Sequence, residues 1–320
     1  MFRVIAFASA VIGMAFAASM ANAADRLKDI NQNTIGILAG EPEWLPLVQD
    51  VAKTLNHREG LRILPIAGEG GIQSVSDLMN INGIDIALIP ADSVAYAKAQ
   101  GLVPSGDEKI AYLARMGSIK VLLVVRNDMP GLTALAGKRI ATGPAQSSGF
   151  ATGELILGAL DLPFTRVPMD GTGAIAALEQ GQADAALVLG TQNLAALKNS
   201  AGYKIIPLPL PRSIENNYAP AMITKAELQR FGIEGGSIDT ISTPLILAVF
   251  NWSEKNSHSE ALHTFNKALL EAANLPDSDA QWIKNNLAAE VPSLVRHHSA
   301  KRALEESSPA TAPAEQGVTQ

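Results

Sequence analysis

Apolar and polar positions along this chain alternate between two periods. Short apolar runs at 34–39 (TIGILA), 61–67 (LRILPIA) and 84–90 (IDIALIP) end in Gly, Pro or a Gly-rich loop. Each is followed by apolar residues at helical spacing: 47–56, a helix beginning near Ser74, and 93–100, closed by Gly101. Strand, loop and helix in this alternation predict parallel βαβ units. A strong strand at 120–126 (KVLLVVR) leads into a second set of the same kind. There 138–143 (KRIATG) precedes a helix at 150–160, 164–169 (FTRVPM) one at 173–180, and 184–190 (DAALVLG) one at 192–199. A further strand covers 203–208, and the long apolar segment 239–251 (DTISTPLILAVFN) carries the chain back to the first set. Helices at 257–274 and 277–289 complete the packing.

This order predicts two α/β lobes, 24–118 with 240–304 and 119–239, joined by crossovers near 117–125 and 240–248. A cleft between the lobes would lie beyond the carboxyl ends of their strands, where such sheets collect ligands. The ends of the chain are different in kind. Arg3 precedes an apolar stretch of small residues that closes on Ala21-Asn22-Ala23, the layout of a secretory signal peptide over 1–23 with cleavage before Ala24. The apolar run is short for an anchor, and no later segment is apolar enough to cross a membrane. At the other end, 305–320 (EESSPATAPAEQGVTQ) lacks periodicity and reads as a disordered tail.

The chain holds no cysteine, which excludes disulfides, a thiolate nucleophile and cysteine-based zinc sites. Its net charge of −6 argues against a nucleic-acid partner. No GxSxG elbow, H-E-x-x-H or complete P-loop is present, so the chain is not expected to be an enzyme. The adjacent His297 and His298 point different ways on a helix, which disfavours a metal site.

The segment 131–149 (GLTALAGKRIATGPAQSSG) runs from a strand into a small-residue loop at a helix start, where backbone N–H groups can hold an anion. An ordinary βα turn has the same composition. Together with 174–190 (AIAALEQGQADAALVLG) and 80–101 (NINGIDIALIPADSVAYAKAQG), this segment resembles the TAXI-family solute-binding receptors of TRAP transporters. The likeness extends over about 34–302. It implies a two-lobed type II periplasmic-binding-protein fold, each lobe a mostly parallel sheet flanked by helices, with the ligand between the lobes. Five segments depart from the family pattern, among them Ser147-Ser148-Gly149-Phe150 in place of Gly-Ser-Gly-Thr and His298-Ser299-Ala300 in place of His-Pro-Gly-Ala. Gly40-Glu41-Pro42-Glu43-Trp44 replaces Gly-Gly-x-Tyr, Gln73-Ser74-Val75-Ser76-Asp77 replaces Gly-Ser-x-x-Asn, and Gly190-Thr191-Gln192 replaces Gly-x-Pro.

Loop position nominates the contacts. Glu41 and Trp44 follow the first strand, with packing against the first helix as the alternative for Trp44. Ser74 and Asp92 are expected at helix starts, where capping alone would also explain them. Gln146, Ser147, Ser148 and Gly149 form the main contact set, and Thr191 and Gln192 close the opposite wall. Several acidic residues (Glu41, Glu43, Glu69, Asp92, Asp170) lie near these loops, so Arg115 or Lys120 would have to balance a carboxylate ligand. Otherwise a zwitterion, a cationic ligand or a bridging cation would fit; no cofactor or metal is predicted. The resemblance implies a monomeric periplasmic receptor that closes on a small organic anion or amino acid and delivers it to TRAP-type permease subunits. The alternative is a sensory or interaction protein on the same fold.

Overall fold

The computed structural model describes residues 33–104, 108–167, 169, 173–275, 282 and 285–307. The expected signal peptide, Asp170 and the segment 308–320 lie outside the described residues, as does much of the helix expected at 277–289.

The first half alternates β1 (Thr34–Ala39), α1 (Leu45–Leu55), β2 (Arg62–Ala67), α2 (Gly71–Asn80), β3 (Ile86–Pro90) and α3 (Ala91–Ala99). A long strand, β4 (Ile110–Arg126), leads into β5 (Arg139–Ala141), α4 (Ser148–Ala159), β6 (Thr165–Arg166), α5 (Ala174–Glu179) and β7 (Ala185–Leu189). Then come β8 (Tyr203–Ile206), β9 (Ala219–Ile223), α6 (Lys225–Gln229) and a second long strand, β10 (Ile238–Phe250). Helices α7 (Ser257–Ala273) and α8 (His298–Ser307) end the described chain.

Pairing divides these strands into two halves of one design. In the first, the order is β2-β1-β3-β10-β4; β1 runs parallel to β2 and β3, while β10 is antiparallel to both β3 and β4. In the second, the order is β6-β5-β7-β4-β8; β5 runs parallel to β6 and β7, while β4 is antiparallel to β7 and β8. Each half therefore sets its second strand beside its first, then its third, then a reversed strand arriving from the other half. This is the two-lobed type II periplasmic-binding-protein arrangement. The halves share β4 and β10, which pair from Ile110–Phe250 to Lys120–Ser242, with register shifts on either side of Ile246.

Sequence pattern explains the layers. β3 and β7 are buried along their whole length, as expected for parallel strands covered on both faces. Helix α1 turns Val48, Val51, Ala52 and Leu55 inward, and α7 turns Leu262, Phe265, Ala268, Leu269 and Ala272 inward. Both sets have the spacing of a single apolar stripe. Helix α6 opens on a capping box in which Thr224 and Glu227 satisfy each other's backbone N–H.

Four sequence expectations need correction. The strand expected at 120–126 starts ten residues earlier, at Ile110, because its first part pairs with β10. The helix expected at 192–199 is a 3-10 turn, Thr191–Ala196; Asn193 and Gln192 donate their amides to the Leu189 carbonyl and compete with α-helical bonding. Residues 285–289 form turns, with i to i+3 bonds from Asn285 to Trp282 and from Ala289 to Asn286. Glu305, Glu306 and Ser307 are helical rather than tail, since Glu306 reaches His263 on α7 at 3.2 Å and Ser307 bonds to the Ala303 carbonyl. No helix among the described residues is long and apolar enough to cross a membrane.

Phe265 is fully buried on α7. Phe265→Ala is expected to lower the unfolding free energy by about 3–5 kcal/mol, through lost transfer energy and the cavity left behind. Denaturant titration of both proteins measures it.

Candidate functional site

The loops after β1, β2, β3 and β5 all emerge at the carboxyl ends of their strands. The junctions β1/β3 and β5/β7 are the points where strand order reverses in each sheet, the usual place for a ligand in open α/β sheets. Here the two halves meet through the starts of α2 and α4. Glu41, just beyond β1, places Oε1 between them, accepting from the Ser148 N–H at 2.6 Å and from the Gly71 N–H at 3.3 Å. These are the first N–H groups of α4 and α2, groups that have no partner inside their own helices. Both helices also present the positive ends of their dipoles to the carboxylate.

A second clasp runs beside the first. The Gln146 carbonyl accepts from the Ile72 and Gln73 N–H groups at 3.1 and 3.4 Å. Such an approach requires glycine: a Cβ on Gly70 would lie 2.1 Å from the Gln146 oxygen, and one on Gly71 2.2 Å from Ser148 Oγ and 2.6 Å from Ser93 Oγ.

Asp92 makes the third. It is fully buried, and Oδ2 accepts from Thr152 Oγ1 at 2.6 Å and from Tyr218 Oη at 2.7 Å. Both donors stand in the second half. Desolvation raises the Asp92 pKa to about 6, although the two hydroxyl donors pull it down. Burial also raises the Glu41 pKa, against the opposing pull of Ser148. Three buried polar atoms at this junction, Asp92 Oδ1, Ser93 Oγ and Ser148 Oγ, have no hydrogen-bond partner. Ser148 Oγ approaches the Glu41 carboxylate without an aligned bond.

The residues nominated from sequence separate as follows. Glu41, Asp92, Gln146 and Ser148 are brought together. Ser147 stands next to them, but its hydroxyl caps α4 by accepting from Phe150 N–H at 3.1 Å. Gly149 lets α4 approach β5, where a Cβ would meet the Thr142 carbonyl at 2.5 Å. Ser74 does not cap a helix: α2 begins at Gly71, and the Ser74 hydroxyl donates to the Gly70 carbonyl inside the first turn. Nor does Asp92 cap α3, which begins at Ala91 after Pro90. Trp44 is 6% exposed and belongs to an apolar core cluster that runs through both halves. Gln192 is exposed and turns back to the Leu189 carbonyl, in the 3-10 turn that also holds Thr191.

The expected cationic balance comes from elsewhere. Lys120 pairs with Glu227 at 2.6 Å, and Arg115 bonds to Gly117 and Ser118. Helix N-termini, not side-chain cations, face the Glu41 carboxylate. Thr152 and Tyr218 were not nominated. Thr152 lies one helical turn beyond Ser148 and was findable from spacing; nothing local to Tyr218 marks it.

No family model and no curated protein matches this chain. Among solved structures it is similar to the periplasmic VFT2 domain of Bordetella pertussis BvgS, with 13% identity over 81% of this chain and 94% of that one, TM-score 0.48. It is also similar to the arginine-bound form of truncated ArgBP from T. maritima, with 16% identity over 76% and 98%, TM-score 0.45. A third is the periplasmic aliphatic sulphonate binding protein SsuA from Escherichia coli, with 18% identity over 78% and 77%, TM-score 0.43. Likeness at this level says nothing of ligand or site.

Two outcomes are expected. An acid whose pKa is raised on folding stabilises the fold fully below its unfolded value, here 3.8, and loses that contribution as pH rises through about 6. The stability advantage of Asp92→Asn over wild type should therefore grow between pH 4 and pH 7, to about 2–3 kcal/mol. Denaturant melts across that range measure it. Gly70→Ala should hold the halves apart, giving a larger radius of gyration in small-angle X-ray scattering.

Proposed function

We propose that this protein is a periplasmic solute-binding receptor whose ligand seat is the junction of α2 and α4. One observation carries the reading: the first N–H groups of two helices, one from each half, converge on a single carboxylate oxygen. Groups that meet only when the halves close are what a receptor needs in order to couple binding to closure. The solute is a small organic anion or amino acid, held by hydrogen bonds without covalent chemistry. The sequence of 1–23 supports export by a cleaved signal, and the motif order supports delivery to a TRAP-type permease. Glu41, Asp92, Gln146 and Ser148 form the proposed contact set; Thr191 and Gln192 are kept as residues of the facing wall.

The sensory or interaction reading has an observation of its own. The halves are clasped by intramolecular bonds from Glu41, Gln146 and Asp92, so a closed surface can be presented to a membrane-bound partner by the chain itself.

A thermal-shift screen of dicarboxylates, amino acids, sugars, phosphate and divalent cations separates the two. A solute at 100 times its dissociation constant adds about 2.7 kcal/mol of stability, a shift of a few degrees. The receptor reading expects such a hit, weakened by Ser148→Pro, which removes the α4 donor. A flat screen on folded protein favours the interaction reading.

A further inference from the structure

The position of Glu41 raises a question about how any solute reaches the seat. Its side chain comes from a loop, not from either helix, and its carboxylate stands where an external anion would have to stand. The Ser148 N–H at 2.6 Å is the stronger of the two bonds, and it crosses from one half to the other. Beside this pair, facing Gly71, lie two fully buried hydroxyls: that of Ser148, which approaches the Glu41 carboxylate without an aligned bond, and that of Ser93, which has no partner. The seat thus has more hydrogen-bonding capacity than Glu41 uses. Unmet polar groups in a buried junction cost stability, and a larger polar occupant would satisfy them.

We propose that Glu41 is a tethered ligand: its carboxylate occupies an anion seat built for a small carboxylate, and solute binds by exchange, entering as Glu41 leaves. This deepens the receptor reading and rests on its identification of the seat. Exchange sets the effective affinity, because a solute must outcompete a carboxylate attached to the same chain. It also makes the loop 40–44, one of the segments where the chain departs from the family it resembles, the element that tunes occupancy. Glu41 then supplies the charge that the helix ends attract.

The test replaces the tether by a free acid. Glu41→Ala removes everything beyond Cβ, and acetate has the size and charge of the missing group. Glu41→Ala, wild type and Ser148→Pro are melted at pH 7 in sodium acetate and in sodium chloride of equal ionic strength, and their radii of gyration are measured in both salts. Glu41→Ala should be wider than wild type in chloride, contract in acetate, and gain about 2–4 °C in acetate over chloride. Wild type should show no such difference. Ser148→Pro keeps Glu41 but removes the donor at a helix position that tolerates proline, so it should be wide in both salts. It also keeps the test decisive if Glu41→Ala does not fold, because a Ser148→Pro protein as compact as wild type overturns the proposal. Equal responses of Glu41→Ala to the two salts overturn it as well. If wild type binds a solute while Glu41→Ala ignores acetate, exchange is wrong and the receptor reading stands. If Glu41→Ala takes acetate while no solute stabilises wild type, the tethered ligand stands and the receptor reading falls.

Discussion

The carboxylate of Glu41 sits between two helix starts that belong to different sheets, and the closed form of the molecule is organised around that contact. A helix start exposes N–H groups with no internal acceptor, and burying two of them face to face without an anion would leave both unpaired and their dipoles opposed. Glu41 resolves both problems with one oxygen. Its neighbours follow from the same closeness. Gly70 and Gly71 have no Cβ because the α4 loop passes where one would be, and the Gln146 carbonyl takes up the next two N–H groups of α2.

Asp92 adds a different kind of constraint. Complete burial of a carboxyl with one oxygen bonded to two hydroxyls and the other unpartnered is costly when it is charged. Glu41 and Asp92 are thus unlike members of one junction: the first is held by helix ends, the second by Thr152 and Tyr218. Both have their pKa raised by burial, so burial at the junction favours their protonated forms. Two interlobe clasps end on carboxylates, while Lys120 and Arg115 are engaged elsewhere.

The sheet topology explains how these groups reach one another. Each half lends the other its reversed strand, β10 to the first and β4 to the second, so the halves are joined through a shared antiparallel pair. The βα loops at the two switch points then face each other across the junction. A two-lobed architecture follows from strand order alone, whatever occupies the junction.

Period and punctuation in the sequence were enough for the alternation of strands and helices, the two-lobed class and the loops after β1, β3 and β5, because a buried parallel strand and an amphipathic helix leave distinct apolar patterns. They placed Glu41, Asp92, Gln146 and Ser148 on loops at strand ends. They did not reveal that Glu41 bonds to a residue 107 positions away, or that Asp92 is held by Tyr218, 126 positions away. Local pattern also set the start of α2 three residues late, at Ser74 instead of Gly71, and left Trp44 open between a ligand wall and packing. A serine at a helix start and a tryptophan after a strand carry the same signal whether they face a ligand or the core. The length of β4 and the helical form of 305–307 depended on partners, β10 and α7, that only the folded chain supplies. Which loop residues form a site is decided by how two sheets approach each other. That approach depends on long-range pairing and close backbone contact, neither of which has a local periodicity to read.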